Sequence, residues 1–214
     1  DAKRVEILRG PQGALYGSSS LGGAINYIPN SPRLDGAEFG VFGSGSLATN
    51  STLGGTGKVM FNAPVVDGQL GLRGVGYYSR TPGYIDNVGT DTPRSNSSTT
   101  YGGRAILGWK PSDRSTLRLT ALHQQSQLDD SGYVDEQLGD LKKSTIQPEP
   151  NDNKFSLAGL RYEFETGHGI LALIGGGQRK ASALSFDGAT ALGVQDAGQR
   201  IPLSQNGELE GYST

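Results

Sequence analysis

The chain has 214 residues, 34 of them Gly and 10 Pro, with 34% hydrophobic residues, 19% charged residues and a formal net charge of −2. Gly stands at more than twice the ordinary ~7%, which points to an all-β, turn-rich chain or to disorder. The near-neutral balance argues against nucleic-acid binding. The lack of Cys removes disulfides, thiolate metal sites and cysteine nucleophiles. No apolar run approaches the ~18 residues of a membrane-spanning helix, the longest being Ile170 to Ile174.

In chain order, the first 34 residues form a unit of their own. Val5 to Leu8 is a short strand-like run, Gly10-Pro11-Gln12-Gly13 is a turn signal, Ser18 to Gly23 is a second turn, and Ala24 to Ile28 is apolar. The unit reads as strand, turn, strand, with little room for a core. Asp1 opens the chain without a charged-then-apolar leader, so a signal peptide is either already removed or the sequence is an internal piece.

From Ala37 onward the pattern becomes period-2 runs, and the expected strands are 37–45, 52–63, 69–79, 99–110, 114–125, 153–165 and 169–179. In the fourth, Tyr101, Gly103, Ala105, Leu107 and Trp109 share one face, while Arg104, Ile106 and Lys110 share the other. In the sixth, Ala158, Leu160, Tyr162 and Phe164 oppose Arg161, Glu163 and Glu165. These runs are about twice the ~5–6 residues usual in soluble sheets and match the ~9–11 of a tilted bilayer-spanning strand.

The connections alternate in length. Tight turns at 66–68, 111–113 and 166–168 alternate with longer polar loops at 46–51, 80–98, 126–152 and from 180 onward. Short turns at one edge and long loops at the other describe an outer-membrane barrel. Parity places residues 1–34 on the short-turn side, as in a barrel plugged from the periplasm. The fold class expected is therefore all-β: an antiparallel transmembrane barrel, preceded by the end of a plug.

The run Leu8-Arg9-Gly10-Pro11-Gln12-Gly13-Ala14-Leu15-Tyr16-Gly17, followed by Leu21-Gly22-Gly23-Ala24-Ile25-Asn26, resembles the plug end of TonB-dependent outer-membrane receptors. Gly83-Tyr84-Ile85-Asp86-Asn87 is similar to the first long outer loop of that family. The resemblance implies a plug end at 1–34 and barrel strands at 35–214, about seven or eight of the 22 in such transporters, and hence a fragment. It also implies an outer-membrane location and uptake of a scarce nutrient such as a ferric siderophore. Energy would come through a TonB-type coupling protein that engages a segment upstream of Asp1.

The plug motif supplies the candidate site residues Arg9, Gly10, Pro11, Tyr16, Gly17, Gly22, Gly23 and Asn26. Glycine permits positive φ and close backbone approach, and Arg9 is an always-charged fork suited to carboxylates. The lumen-facing Glu163 and Glu165 are its candidate partners. Asp129-Asp130 with Asp135-Glu136 reads as a solvated acidic loop, its spacing fitting no calcium loop. His123 and His168 read as ordinary polar or turn residues. Nothing converges on an acid–base or nucleophile motif, so no enzyme, cofactor or metal is expected. The expected partners are lipid, the nutrient and the coupling protein. The alternative reading is a secreted or surface β-rich binding or structural protein.

Overall fold

The computed structural model describes residues 1–10, 22–47, 53–187 and 202–213, the last of these by backbone alone. Its strands are β1 (Ala2–Arg9), β2 (Gly23–Pro29), β3 (Glu38–Leu47), β4 (Leu53–Val66), β5 (Leu70–Thr81), β6 (Asp86–Asn87), β7 (Ser98–Ser112), β8 (Ser115–Leu128), β9 (Lys142–Lys143), β10 (Asn151–Thr166), β11 (Gly169–Asp187) and β12 (Pro202–Ser213). A 3-10 turn at Glu136–Leu138 is the one helical element among the described residues.

β1 and β2 pair antiparallel as a two-stranded sheet. The long strands form one antiparallel sheet in the order β12-β11-β10-β8-β7-β5-β4-β3. Every long strand thus lies beside its sequence neighbour, as in an up-and-down barrel wall. β6 and β9 pair in parallel to each other, outside that sheet.

Period-2 alternation sorts the wall into two faces. On the outer face, Leu72, Leu107, Leu119 and Leu160 stand in register across four strands. Beside them runs a row of Trp109, Leu117 and Tyr162. Large apolar side chains stay open on this face, Phe39 at 73% exposure and Val41 at 69%. A water-facing surface of that kind would drive aggregation, whereas a lipid-facing band requires it. Trp109 and Tyr101 lie on the same strand and the same face, ~26 Å apart at ~3.3 Å per residue. That separation, shortened by strand tilt, is of the order of the ~25 Å apolar band between aromatic girdles.

The inner face carries Lys58, Arg73, Tyr77, Arg104, Arg118, Arg161 and Glu163. Tyr77 reaches over Gly102 on β7 to donate to Gln124 Oε1 on β8 at 2.5 Å. Arg104, Arg161 and Glu163 therefore sit on the face expected of them, opposite Leu107, Trp109 and Leu160.

The three tight turns fall where expected, between β4 and β5, β7 and β8, and β10 and β11. The strand ends fall within three residues of the expected ones except at the end of β11, and β12 lies within the stretch expected to be a loop. β11 runs past Arg179-Lys180 to Asp187, held by its pairing with β10 as far as Leu184 and with β12 as far as Asp187. β12 is an eighth long strand whose sequence, Pro-Leu-Ser-Gln-Asn-Gly-Glu-Leu-Glu-Gly-Tyr-Ser, lacks an apolar alternation strong enough to announce it.

Candidate functional site

Among the described residues, two places concentrate polar side chains: the contact of the β1–β2 hairpin with the inner wall, and the pair of long loops.

The hairpin is docked by charge. Asp1 lies against β5 and β7, with Arg73 Nη2 and Nε donating to its two carboxylate oxygens at 2.8 and 2.9 Å. Arg104 Nη2 adds 3.0 Å to the same carboxylate and 2.7 Å to the Asp1 carbonyl. Asn30 Nδ2, from beyond β2, donates to Asp1 Oδ1 at 2.8 Å. Arg73 is 5% exposed, and its remaining nitrogen, Nη1, reaches Glu38 Oε2 at 3.0 Å at the start of β3. One guanidinium therefore ties the hairpin to the first wall strand. The pairing is bidentate and charge-assisted, the strong form of such a contact. A cavity of about 450 Å³ opens beside it, between Tyr27 of the hairpin and Lys58, Tyr77, Arg104 and Gln124 of the wall.

The link from hairpin to wall is held as closely. Asn62 is buried, and its Oδ1 accepts the Arg33 N–H at 2.8 Å while Nδ2 donates to the carbonyls of Arg33 and Gly36 at 3.0 and 2.8 Å. Its amide thus does for the link what a neighbouring strand would do. Arg118 Nη2 donates to Ser31 Oγ at 2.7 Å. The Gly68 N–H, in the first tight turn, donates to the Leu34 carbonyl at 2.9 Å. Pro32 packs on Gly108, where any Cβ would come within 3.4 Å of the proline ring.

The described motif residues lie on the part of the hairpin away from Asp1. Arg9 ends β1 opposite Gly23, the first residue of β2. Gly10 has φ +83° and turns the chain off the strand. Gly23 has φ +134°, and a Cβ there would lie 2.4 Å from the Leu8 carbonyl, so only glycine fits. Gly22 has open space around its Cα. Asn26 Nδ2 donates to Glu6 Oε2 across the hairpin at 3.2 Å. Pro11, Tyr16 and Gly17 lie outside the described residues. Glu163 receives Arg161 of its own strand, at 2.6 Å to Nη2, and the Glu165 N–H donates to the Arg114 carbonyl at 2.7 Å. The wall contact at the Asp1 end of the hairpin thus has a hairpin carboxylate between wall arginines.

The loops correct one expectation. Asp129-Asp130 is not a solvated acidic stretch. Asp130 is buried against Lys143, which is 0% exposed, with Nζ to Oδ1 at 2.5 Å. Glu149 Oε2 lies 3.4 Å from the same Nζ, Ser131 Oγ 2.8 Å from it, and the Tyr133 ring centroid 5.1 Å from it. Asn87 donates to Asp130 at 3.0 Å and to Thr145 Oγ1 at 2.6 Å. Asp129, by contrast, is exposed and accepts from Ser97. Burial pushes the Asp130 carboxyl up, but hydrogen bonds from Lys143, Ser95, the Glu149 N–H and Asn87 outweigh it, leaving the group below its usual range. Burial, and then the charges of Glu149, Asp187 and Asp130, push the Tyr133 phenol up to about 12.

In β6 and β9 the alternation has a purpose: Asn87 and Lys143 face this network, while Asp86 and Lys142 line an open groove with Tyr84, Arg94 and Leu141. Gly83 admits the chain, since a Cβ there would strike the Arg94 carbonyl at 2.0 Å. Asn96 Oδ1 then accepts the N–H groups of Tyr84 and Ile85, both at 2.8 Å.

No family model matches the chain. The pesticin receptor of Yersinia enterocolitica is 34% identical over 109 residues, covering 50% of this chain and 15% of the relative. A probable TonB-dependent siderophore receptor of Acinetobacter baumannii is 30% identical over 128 residues, covering 54% of this chain and 16% of that protein. The chain thus spans about one-sixth of the length of these curated relatives. Among solved structures, the ferric yersiniabactin uptake receptor of Yersinia pestis superposes with a TM-score of 0.73 at 21% identity, over 99% of this chain and 33% of the other. The siderophore receptor PirA of Acinetobacter baumannii superposes with a TM-score of 0.68 at 18% identity, over 97% of this chain and 31% of the other. By sequence and by fold, the chain matches part of a TonB-dependent outer-membrane receptor.

Proposed function

We propose that the chain is part of a transporter that binds a scarce nutrient, such as a ferric siderophore, outside the cell and imports it with energy delivered by a TonB-type coupling protein. Residues 1–34 are the end of its plug and residues 35–214 the start of its barrel. The long loops form part of the capture surface. The chemistry is binding and release, with no covalent step.

The observation that carries this reading is the wall with two unlike faces. One face offers exposed aromatic and aliphatic side chains. The other buries a hairpin carboxylate between two wall arginines. A soluble surface protein would have no use for the first face. The relatives named for pesticin and for siderophores support the class of cargo.

The test is growth of cells that carry the complete gene, under iron limitation. Deletion of the gene, or of the coupling protein, is expected to abolish uptake of ⁵⁵Fe supplied with supernatant from an iron-starved culture of the native host. Uptake that survives loss of the coupling protein would overturn the reading.

A further inference from the structure

We infer that the outer face of β8, β10 and β11 carries a binding site for a phosphorylated lipid headgroup of the outer leaflet, with His123, Ser156, Arg179 and Lys154 holding the phosphate. The inference rests on the receptor reading above. It follows from where the apolar band stops. Sheet register lines up Ala105, Ala121, Ala158 and Gly177 as one outward row. The next outward row towards the long loops is Gly103, His123, Ser156 and Arg179, and the one after it is Tyr101, Gln125, Lys154 and Ala181. Where these two rows cross β5 and β7 they hold Gly76 with Gly103 and Tyr78 with Tyr101, and no charge. The polar cluster thus interrupts the band on β8, β10 and β11, in register with the Tyr101 end of the band.

The cluster is compact. His123 Nδ1 and Ser156 Oγ are 2.8 Å apart. Arg179 pairs with Ser156 across the sheet, and Lys154 stands diagonally from Arg179, a spacing that long side chains span. Lys154 is 53% exposed. Asp152, whose carboxylate lies 3.8 Å from the Lys154 ammonium, is held by Gln125 Nε2 at 3.1 and 3.2 Å. β12 sets Glu210 opposite Arg179 and Glu208 opposite Ala181. Those acidic positions border the cluster on one side, so the phosphate belongs over Ser156, towards β8.

A cation on a lipid-facing strand is tolerated only near an interface, and headgroup phosphates are the anions found there. Arginine suits a phosphate as a fork and lysine as a point charge. On the midplane side of the cluster, Ala121, Ala158, Gly177 and Gly175 leave a flat apolar floor. A free phosphate would have no use for that floor. Cations at one end and small apolar residues at the other fit a phosphate joined to acyl chains.

The complete receptor, purified from outer membranes in detergent and stripped of lipid, should bind lipopolysaccharide, the phosphorylated glycolipid of that leaflet, in native mass spectrometry. Lys154→Gln with Arg179→Gln should raise the half-saturating concentration about thirtyfold, the worth of two interfacial cations. Lys180→Gln, beside Arg179 in sequence but on the inner face opposite Phe155, should leave it unchanged. Wild-type affinity in the double variant, or an equal loss in Lys180→Gln, would overturn the inference. Two arms use the wild type alone and do not depend on any variant folding. Lipopolysaccharide stripped of its phosphates should bind more weakly by a similar factor, and equal binding would mean acyl contact without a phosphate site. Inorganic phosphate at matched phosphate concentration should fail to displace the glycolipid, and displacement would mean a site for free phosphate instead. A complete protein missing from the outer-membrane fraction would count against the receptor reading rather than against this site.

Discussion

Asn62 makes three hydrogen bonds to the link with a single amide, and no other side chain of that size both accepts and donates in that way. Asn62→Leu should strand one N–H and two carbonyls, at about 1–3 kcal/mol for each that stays buried and unpaired. The expected result is a folded barrel whose link is cut by trypsin at Arg33 when the periplasmic side is opened, with the wild type resisting. Lys143 is the counterpart in the loops. Lys143→Met keeps much of the volume but leaves Asp130 and Glu149 buried together without their cation, and trypsin added outside intact cells should then cut faster at Arg94 and Lys142. The pH dependence of this network follows from its two shifted groups. A carboxyl held below its usual range adds stability that is present above the unfolded value and is lost as pH falls through the folded one. A phenol raised to about 12 adds stability that is lost as pH rises from about 10 towards 12. Hydrogen exchange in residues 84–96 and 129–149 should therefore stay slow through the neutral range. It should quicken below the ordinary carboxylate range and again above pH 10.

At the scale of elements, the long strands are legible because their outer faces are apolar over the stretch from Ala105 to Trp109 on β7 and from Ala158 to Phe164 on β10. Leu107 and Leu160 alternate with arginines, and the period of two survives any detail of packing. In the complete receptor Leu107→Arg should cost about 2–4 kcal/mol if it lies near the bilayer midplane, read as a lower urea midpoint in folding experiments with lipid vesicles. Ala105→Arg, on the same face, should also destabilise. The same substitution at Thr120, which faces inward, should cost much less. β12 was not legible because its residues are polar in both phases and pairing with β11 alone defines it. Nor was β6–β9, since two residues cannot display a period. The acidic loop differs from its sequence expectation for a related reason: Asp130 and its lysine are thirteen positions apart, and nothing local tells a buried carboxylate from a solvated one. The wall pairing of Asp1 is not legible in the sequence because its arginines lie on β5 and β7, brought together only by sheet register.

At the scale of the whole molecule, the sorting of connections fixes an orientation. The turns at 67–69, 113–114 and 167–168 all lie at one edge of the wall, and the two described long loops, 82–97 and 129–150, lie at the other. Trypsin applied to intact cells should spare Arg114 until the outer membrane is permeabilised, and cleavage there without permeabilisation would reverse the orientation.

The two long loops are also not two separate surfaces. The parallel pairing of Asp86 with Lys142 and of Asn87 with Lys143, locked from beneath by the buried lysine, splices them into one. To the immune system of an animal this would be a discontinuous epitope. Antibodies raised against a synthetic peptide of either loop should bind the denatured chain and miss the living cell. Antibodies raised against the folded receptor should do the reverse, and their binding should be lost when Lys143 alone is replaced by Met.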